Sequence, residues 1–211
     1  MHPPFLLILA SASPRRKDLL KDLGLRLKTV PAEVREIPYP EENPVSFSKR
    51  MAEEKAGIVS SLYPRQWILG ADTVVVSGGK ILGKPRNFQE AKKFLHLLSG
   101  DTHQVITGFC LKHRVLNRSF IQSVSTRVRF KSLSREEIDW YVRTGEPLDK
   151  AGAYAIQGKG SFCVKEIKGS YTNVVGLPLT EVLEALEKVA GFRIKPQRAK
   201  SKEYPRRRMR A

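Results

Sequence analysis

The stretch Leu7-Ile8-Leu9-Ala10-Ser11-Ala12-Ser13-Pro14-Arg15-Arg16 constrains this chain more than any other. Phe5 to Leu9 is a short unbroken apolar run, the pattern of a strand covered on both faces. Ser13 before Pro14 predicts an immediate helix start. The hydroxyl accepts from a free N–H of the first turn, and proline at the first helical position loses nothing by lacking its own. Leu19, Leu20 and Leu23 then supply an apolar stripe, and Gly24 a stop. A helix N-terminus carries partial positive charge and unpaired donors. Two guanidiniums, Arg15 and Arg16, nevertheless sit in that first turn, and an incoming anion would relieve the conflict. The stretch reads either as a phosphate cradle or as an ordinary strand-to-helix turn with two solvated arginines.

A chain of 211 residues with 41% hydrophobic content suits one globular domain with a sizeable core and room for two lobes. No apolar run approaches the ~20 residues that cross a bilayer. A signal peptide is rejected because the first apolar run is too short and has no basic segment before it. No membrane partner is expected. Cys110 and Cys163 lie in apolar, strand-like contexts, as reduced core residues of a cytoplasmic protein do. Net charge is +17; nine Lys/Arg against one Glu give Arg193 to Arg210 +8, leaving +9 elsewhere. A basic body favours nucleotides or nucleic acid, or is simply a solvated surface. The division expected is one domain over 1–190 and a basic, flexible tail over 191–211.

Along the chain, Thr29 to Pro44 is a Pro- and Glu-rich surface connection containing Glu33 and Glu36. Val45 to Leu62 reads as a helix whose Phe47, Met51, Ile58 and Leu62 fall within an arc of about 60°. Lys55 lies just beside that arc, on its inward side, either snorkelling or pointing into a cleft. Trp67 to Val76 is a β-branched strand interrupted by Asp72. A carboxylate there is costly unless paired, hydrogen-bonded or metal-bound, so it caps a neighbouring turn or marks a site. Gly78-Gly79 predicts a two-residue hairpin pairing Ser77 with Lys80, Val76 with Ile81, Val75 with Leu82 and Val74 with Gly83. Thr73 then faces Lys84, and a cation arrives beside the awkward acid. Asn87/Glu90 and Ser134/Glu137 announce two more helices, the first with a core face of Phe88, Ala91, Leu95 and Leu98. Thr102 to Lys112, Ser119 to Lys131 and Phe162 to Ile167 read as strands. Gly169 to Asn173 reads as a polar turn, and the last helix runs through Val182, Leu183, Leu186 and Val189. Gly145 to Gly160 is too rich in Gly and charge for one element, and long ordered loops are usually functional or mobile. Its Gln157 offers a donor and an acceptor to the edge of a base.

Together these pieces suit one task. Arg15, Arg16, Lys55 and Lys84 are cations for a polyphosphate, Glu36 and Asp72 acids for a divalent metal or a water, and Gln157 an amide for a base. Hydrolysis at phosphorus needs charge neutralisation, a positioned water and usually Mg²⁺. No Walker A loop is present, and no Cys-His or nucleophile-elbow pattern suggests covalent catalysis.

Ser11 to Arg16, Gly70-Ala71-Asp72-Thr73-Val74-Val75, Leu82-Gly83-Lys84-Pro85 and Leu98-Ser99-Gly100-Asp101-Thr102-His103 resemble blocks of the Maf family of nucleotide pyrophosphatases. So do Glu146 to Tyr154 with Ile156-Gln157-Gly158, and Gly169-Ser170-Tyr171 with Gly176-Leu177-Pro178-Leu179. The resemblance implies an α/β fold, a mixed sheet flanked by helices in two lobes with a central cleft, often dimeric. It implies house-cleaning hydrolysis of a nucleoside triphosphate to monophosphate and pyrophosphate with Mg²⁺ or Mn²⁺. Asp72 would be the proton acceptor, Ser13, Arg16, Lys55 and Lys84 would line the phosphate path, and Glu36 and Asp72 would lie near the metal. Arg15, Thr73 and Gln157 match positions linked to substrate choice. The Asp149-to-Gly158 loop resembles the dTTP/UTP branch, with Ala155 where that branch usually has glycine. A competing reading makes the chain a nucleic-acid-binding or septum-regulating protein that acts through its basic tail.

Overall fold

A computed structural model describes residues 5–193. Residues 194–211, nearly all of the basic tail expected from 191 onward, lie outside the described residues. Seven strands form a single sheet: β1 (Leu7–Ala10), β2 (Leu27–Thr29), β3 (Trp67–Ser77), β4 (Lys80–Leu82), β5 (Thr102–His113), β6 (Arg118–Phe130) and β7 (Val164–Lys168). The order is β2-β1-β3-β5-β6-β7, with β4 also paired to β3. β1 runs parallel to β2 and β3, and the other pairs are antiparallel. The sheet is flanked by α1 (Pro14–Asp22), α2 (Pro44–Leu62), α3 (Phe88–Leu98), α4 (Arg135–Arg143), α5 (Tyr171–Val175) and α6 (Leu179–Ala190). This is the expected α/β arrangement of a mixed sheet between helices. None of these helices is long and apolar enough to cross a membrane.

One sheet face belongs to α2, and its contact differs from the expected stripe. Ile58 and Leu62 are exposed, whereas Ser48, Met51, Ala52, Lys55, Ala56 and Val59 are buried. The reason lies in the sheet. A Cβ on Gly70 would stand 2.2 Å from the Ala52 carbonyl oxygen, and one on Gly108 would stand 2.3 Å from that of Ser48. Two glycines on neighbouring strands let the helix backbone settle onto the sheet, where the small residues Ser48, Ala52 and Ala56 make the close approach. Lys55 is thereby carried into the interior.

The opposite face holds two apolar clusters. Leu7, Leu9, Leu69, Ala71, Phe109 and Leu111 pack with Leu20 of α1 and Val182 and Leu186 of α6. Val75, Val105, Val128 and Phe130 pack with α3 and α4 through Leu95, Leu98, Ile138 and Tyr141. Between them runs a polar seam. Thr73 Oγ1 and Thr107 Oγ1 are 2.9 Å apart, Thr107 donates to the Asn173 carbonyl, and Asn173 Nδ2 donates to Val105 O and Thr126 Oγ1. Asn173 lies on α5, so the expected polar turn is a short helix capped by Ser170. Phe88 is exposed rather than part of the α3 core face, because the helix begins at that residue and only Ala91, Leu95 and Leu98 point inward. Phe162 lies in a 3-10 turn before β7 rather than in the strand.

Under the second cluster, His103 Nε2 lies 2.8 Å from the Tyr154 hydroxyl and its Nδ1 has no partner. Burial, opposed weakly by Asp101, pushes this imidazole down to about 4. The unfolded chain binds its proton below about 6.5, so stability from this site is complete above that pH and drains away as the pH falls towards 4. Urea titrations at pH 7 and pH 4 should show His103→Gln losing less than the wild type, the difference approaching about 3 kcal/mol. Equal pH dependence in the two proteins would refute the assignment.

Candidate active site

The site opens where β1 stops. Its ladder with β3 ends at Ala10–Gly70, while β4 joins the same edge of β3 only at Val75–Leu82. Between them Asp72, Thr73 and Val74 line a cavity of about 760 Å³, within the range of small-molecule sites. Every residue singled out from the sequence lines it: Ser13, Arg15, Arg16, Glu36, Lys55, Asp72, Thr73, Lys84 and Gln157. The surface acid Glu33 does not.

Asp72 points towards α2, where Lys55 Nζ reaches Asp72 Oδ1 at 2.6 Å and Glu36 Oε1 at 2.5 Å. Lys55 and Asp72 are buried, and Glu36 is exposed on the connection leading into α2. The anomalous carboxylate of β3 is thus paired, and the lysine enters the cleft rather than snorkelling. Burial would raise the Glu36 pKa, but the Lys55 hydrogen bond and the charges of Lys55, Lys84 and Arg16 together bring it below its ordinary value.

Thr73 points to the opposite face and meets Arg16. The strand-to-helix turn forms as expected: Ser13 caps α1, Pro14 opens it, and Ser11 Oγ accepts from the Ser13 N–H at 3.2 Å. Arg16, however, turns inward. Its Nε donates to Gly176 O at 2.7 Å, its Nη1 to Ser11 Oγ and Ala71 O, and its Nη2 to Thr73 Oγ1 at 2.9 Å. Four of its five N–H groups are spent on neutral protein acceptors. Burial lowers its pKa, opposed by the Asp72 charge, and it remains a cation. Arg16 is thus a structural clamp at the cavity wall, whereas Arg15 stays partly exposed there.

The hairpin register is as expected through Ser77–Lys80, Val76–Ile81 and Val75–Leu82. The ladder then stops. Gly83 O accepts from Gly152 N at 3.0 Å, and Lys84 stands exposed at the rim. The 145–160 loop is ordered as three 3-10 turns, at Glu146–Asp149, Ala151–Ala153 and Gly158–Cys163. Gln157 stands exposed at the cavity wall between the last two. Ala155 is not among the positive-φ residues, so alanine carries no backbone penalty there; Ala153, at φ 62°, is the loop's non-glycine residue in left-handed geometry. Lys150, given no role from sequence, also lines the cavity, its side chain largely covered and paired with Asp149. The signal available for it was its place in the same charged loop.

Residues 6–189 match the family model described as Maf-like protein. A dTTP/UTP pyrophosphatase of Citrifermentans bemidjiense is 48% identical over 186 residues, 88% of this chain and 96% of that protein. One of Myxococcus xanthus is 50% identical over 183 residues, 87% and 92% of the two. Among solved structures, a HAM1 protein from Coxiella burnetii aligns over 62% of this chain and 75% of that one. With 16% identity and a TM-score of 0.42, it is too distant to bear on fold or function.

Proposed function

The chain belongs to the Maf family, and from that premise we propose that it is a dTTP/UTP pyrophosphatase, releasing the nucleoside monophosphate and pyrophosphate. The observation that carries this reading is a buried carboxylate, Asp72, held by Lys55 at a cavity whose walls also present Arg15, Arg16, Lys84 and Gln157. The name shared by relatives at 48% and 50% identity supports the substrate class.

In this reading Asp72 takes the proton of a water whose oxygen bonds to phosphorus, and the P–O bond on the pyrophosphate side breaks. Asp72 Oδ1 is committed to Lys55, which leaves Oδ2 for the water. Lys55, Lys84 and Arg15 neutralise the phosphates, the remaining Arg16 N–H adds one donor, and Ser13 sits at the α1 terminus beside them. Gln157 meets the base, with Thr73 and Arg15 bounding the choice. A divalent cation fits the donor set. Glu36 and Asp72 each keep one oxygen free of Lys55. No group of three or more His, Cys, Asp or Glu that could hold a metal occurs among the described residues. Mg²⁺ and Mn²⁺ are commonly held by one or two carboxylates together with substrate phosphates. When bound, the cation supplies charge neutralisation on the phosphates.

The test is a panel of nucleoside triphosphates with Mg²⁺ or Mn²⁺, assayed separately for pyrophosphate and orthophosphate. Pyrophosphate release led by UTP and dTTP is expected; orthophosphate as the product would end the reading. Within that panel, Gln157→Met should lower the preference for UTP over other bases by about tenfold, the worth of one good polar contact. Rates on the preferred and rejected nucleotides that fall in parallel would remove Gln157 from base choice.

A further inference from the structure

Gln157 has no hydrogen bond of its own among the described residues and caps nothing with its side chain, yet it lies in a segment fixed at both ends. The fixing comes from two side chains outside the cavity lining, Tyr141 of α4 and Glu146 of the first 3-10 turn. The Tyr141 hydroxyl donates to Glu146 Oε1 at 2.9 Å and accepts from the Ala155 N–H at 3.2 Å, two residues before Gln157. Glu146 Oε1 also accepts from the Gly160 N–H at 2.9 Å, and Oε2 from the Lys159 N–H at 3.1 Å, just beyond Gln157. Burial keeps the phenol protonated, so its two roles are distinct. The packing leaves no slack: a Cβ on Gly160 would stand 2.2 Å from the Tyr141 hydroxyl. Gly158 takes φ +75°, which lets the chain fold back over the Glu146 carboxylate.

We propose that Tyr141 and Glu146 are positioning residues for base selection, a brace that holds residues 155–160 so that the Gln157 amide meets the base edge in one place. The proposal rests on the reading of Gln157 given above. A side chain reads a polar edge only as finely as its backbone is held, within roughly 0.5 Å for a working site. None of the brace's hydrogen bonds involves Asp72, Lys55 or Glu36. Loosening it therefore costs discrimination and spares the hydrolytic step.

The experiment measures kcat and KM for UTP and CTP in the wild type, Tyr141→Phe, Glu146→Gln, Gln157→Met and the Tyr141→Phe/Gln157→Met double variant, with melting temperatures for each. Phenylalanine keeps the ring in the core and removes only the hydroxyl; Glu146→Gln approaches the same brace from the surface should the first variant fail to fold. The expected result is a UTP:CTP ratio of kcat/KM reduced about tenfold in either brace variant, with kcat for UTP within about threefold of wild type. The double variant should be no worse than Gln157→Met alone, since the brace acts through that residue. A wild-type ratio retained in folded brace variants overturns the proposal, as does an equal loss for both nucleotides or full additivity in the double variant. A wild-type enzyme that does not discriminate UTP from CTP removes the base-reading role of Gln157 and the brace's role with it, an outcome distinct from failure of the brace alone.

Discussion

Asp72→Asn should nearly abolish pyrophosphate release, with a fall in kcat on the order of 10³. Asparagine fills the same space and its Oδ1 can still accept from Lys55, now at 2.6 Å from the aspartate. Lys55 also keeps Glu36, so its buried ammonium is not left without an anion. The folded state should survive with a melting temperature lowered by a few degrees, about 1 kcal/mol. What is lost is the capacity to take a proton from water, since an amide is not a base at neutral pH. Near-normal turnover in a folded Asp72→Asn protein would remove Asp72 from that role.

The second large effect is structural. Gly108→Ala places a methyl 2.3 Å from Ser48 O, 2.4 Å from Ser48 C and 2.6 Å from Lys49 N, all backbone atoms of α2. The helix must lift from the sheet, loosening Met51, Ala52, Ala56 and Val59 and moving Lys55 off the Asp72 carboxylate. We expect a loss of about 3 kcal/mol or more in urea unfolding, at the upper end of overpacking penalties, together with lost activity. Gly108 has no positive φ, so the cost is steric. Gly57→Ala supplies the control. It lies on the same helix with nothing within 4 Å of its added methyl, so alanine should be neutral or stabilise by up to about 1 kcal/mol. Similar stabilities for the two variants would refute the close-packed account.

The strand-to-helix entry at Ser13-Pro14, the Gly78-Gly79 register and the Ser134/Glu137 capping box were legible because each is set within a few neighbouring residues. The candidate site was legible because misplaced charge is conspicuous: Asp72 in a strand and Lys55 on a buried helical face violate local rules. The face of α2 was only half legible: Phe47 and Met51 are buried as expected, Ile58 and Leu62 are not. Ile58 and Leu62 look like core on a helical wheel, and only the placing of Gly70 and Gly108 on neighbouring strands beneath the helix reveals why small residues face inward there. Helix α5 was missed because five residues are too few for any period to register. Arg16 was legible as a cation but not as a clamp, since its acceptors Ala71 O and Gly176 O lie 55 and 160 residues away. The Tyr141–Glu146 brace gave no sign either, because its three acceptor bonds to backbone depend on how the loop folds back.

The Arg16 clamp also orders assembly in time. A chain made from its N-terminus places this guanidinium in the nascent polypeptide long before Gly176 exists to receive it. Until that carbonyl emerges, the guanidinium lacks one of its four protein acceptors, and burying it with that N–H unmet is costly. The pocket's earliest-made wall is thus among the last to close, and competence for chemistry should arrive only when synthesis of the domain is nearly complete.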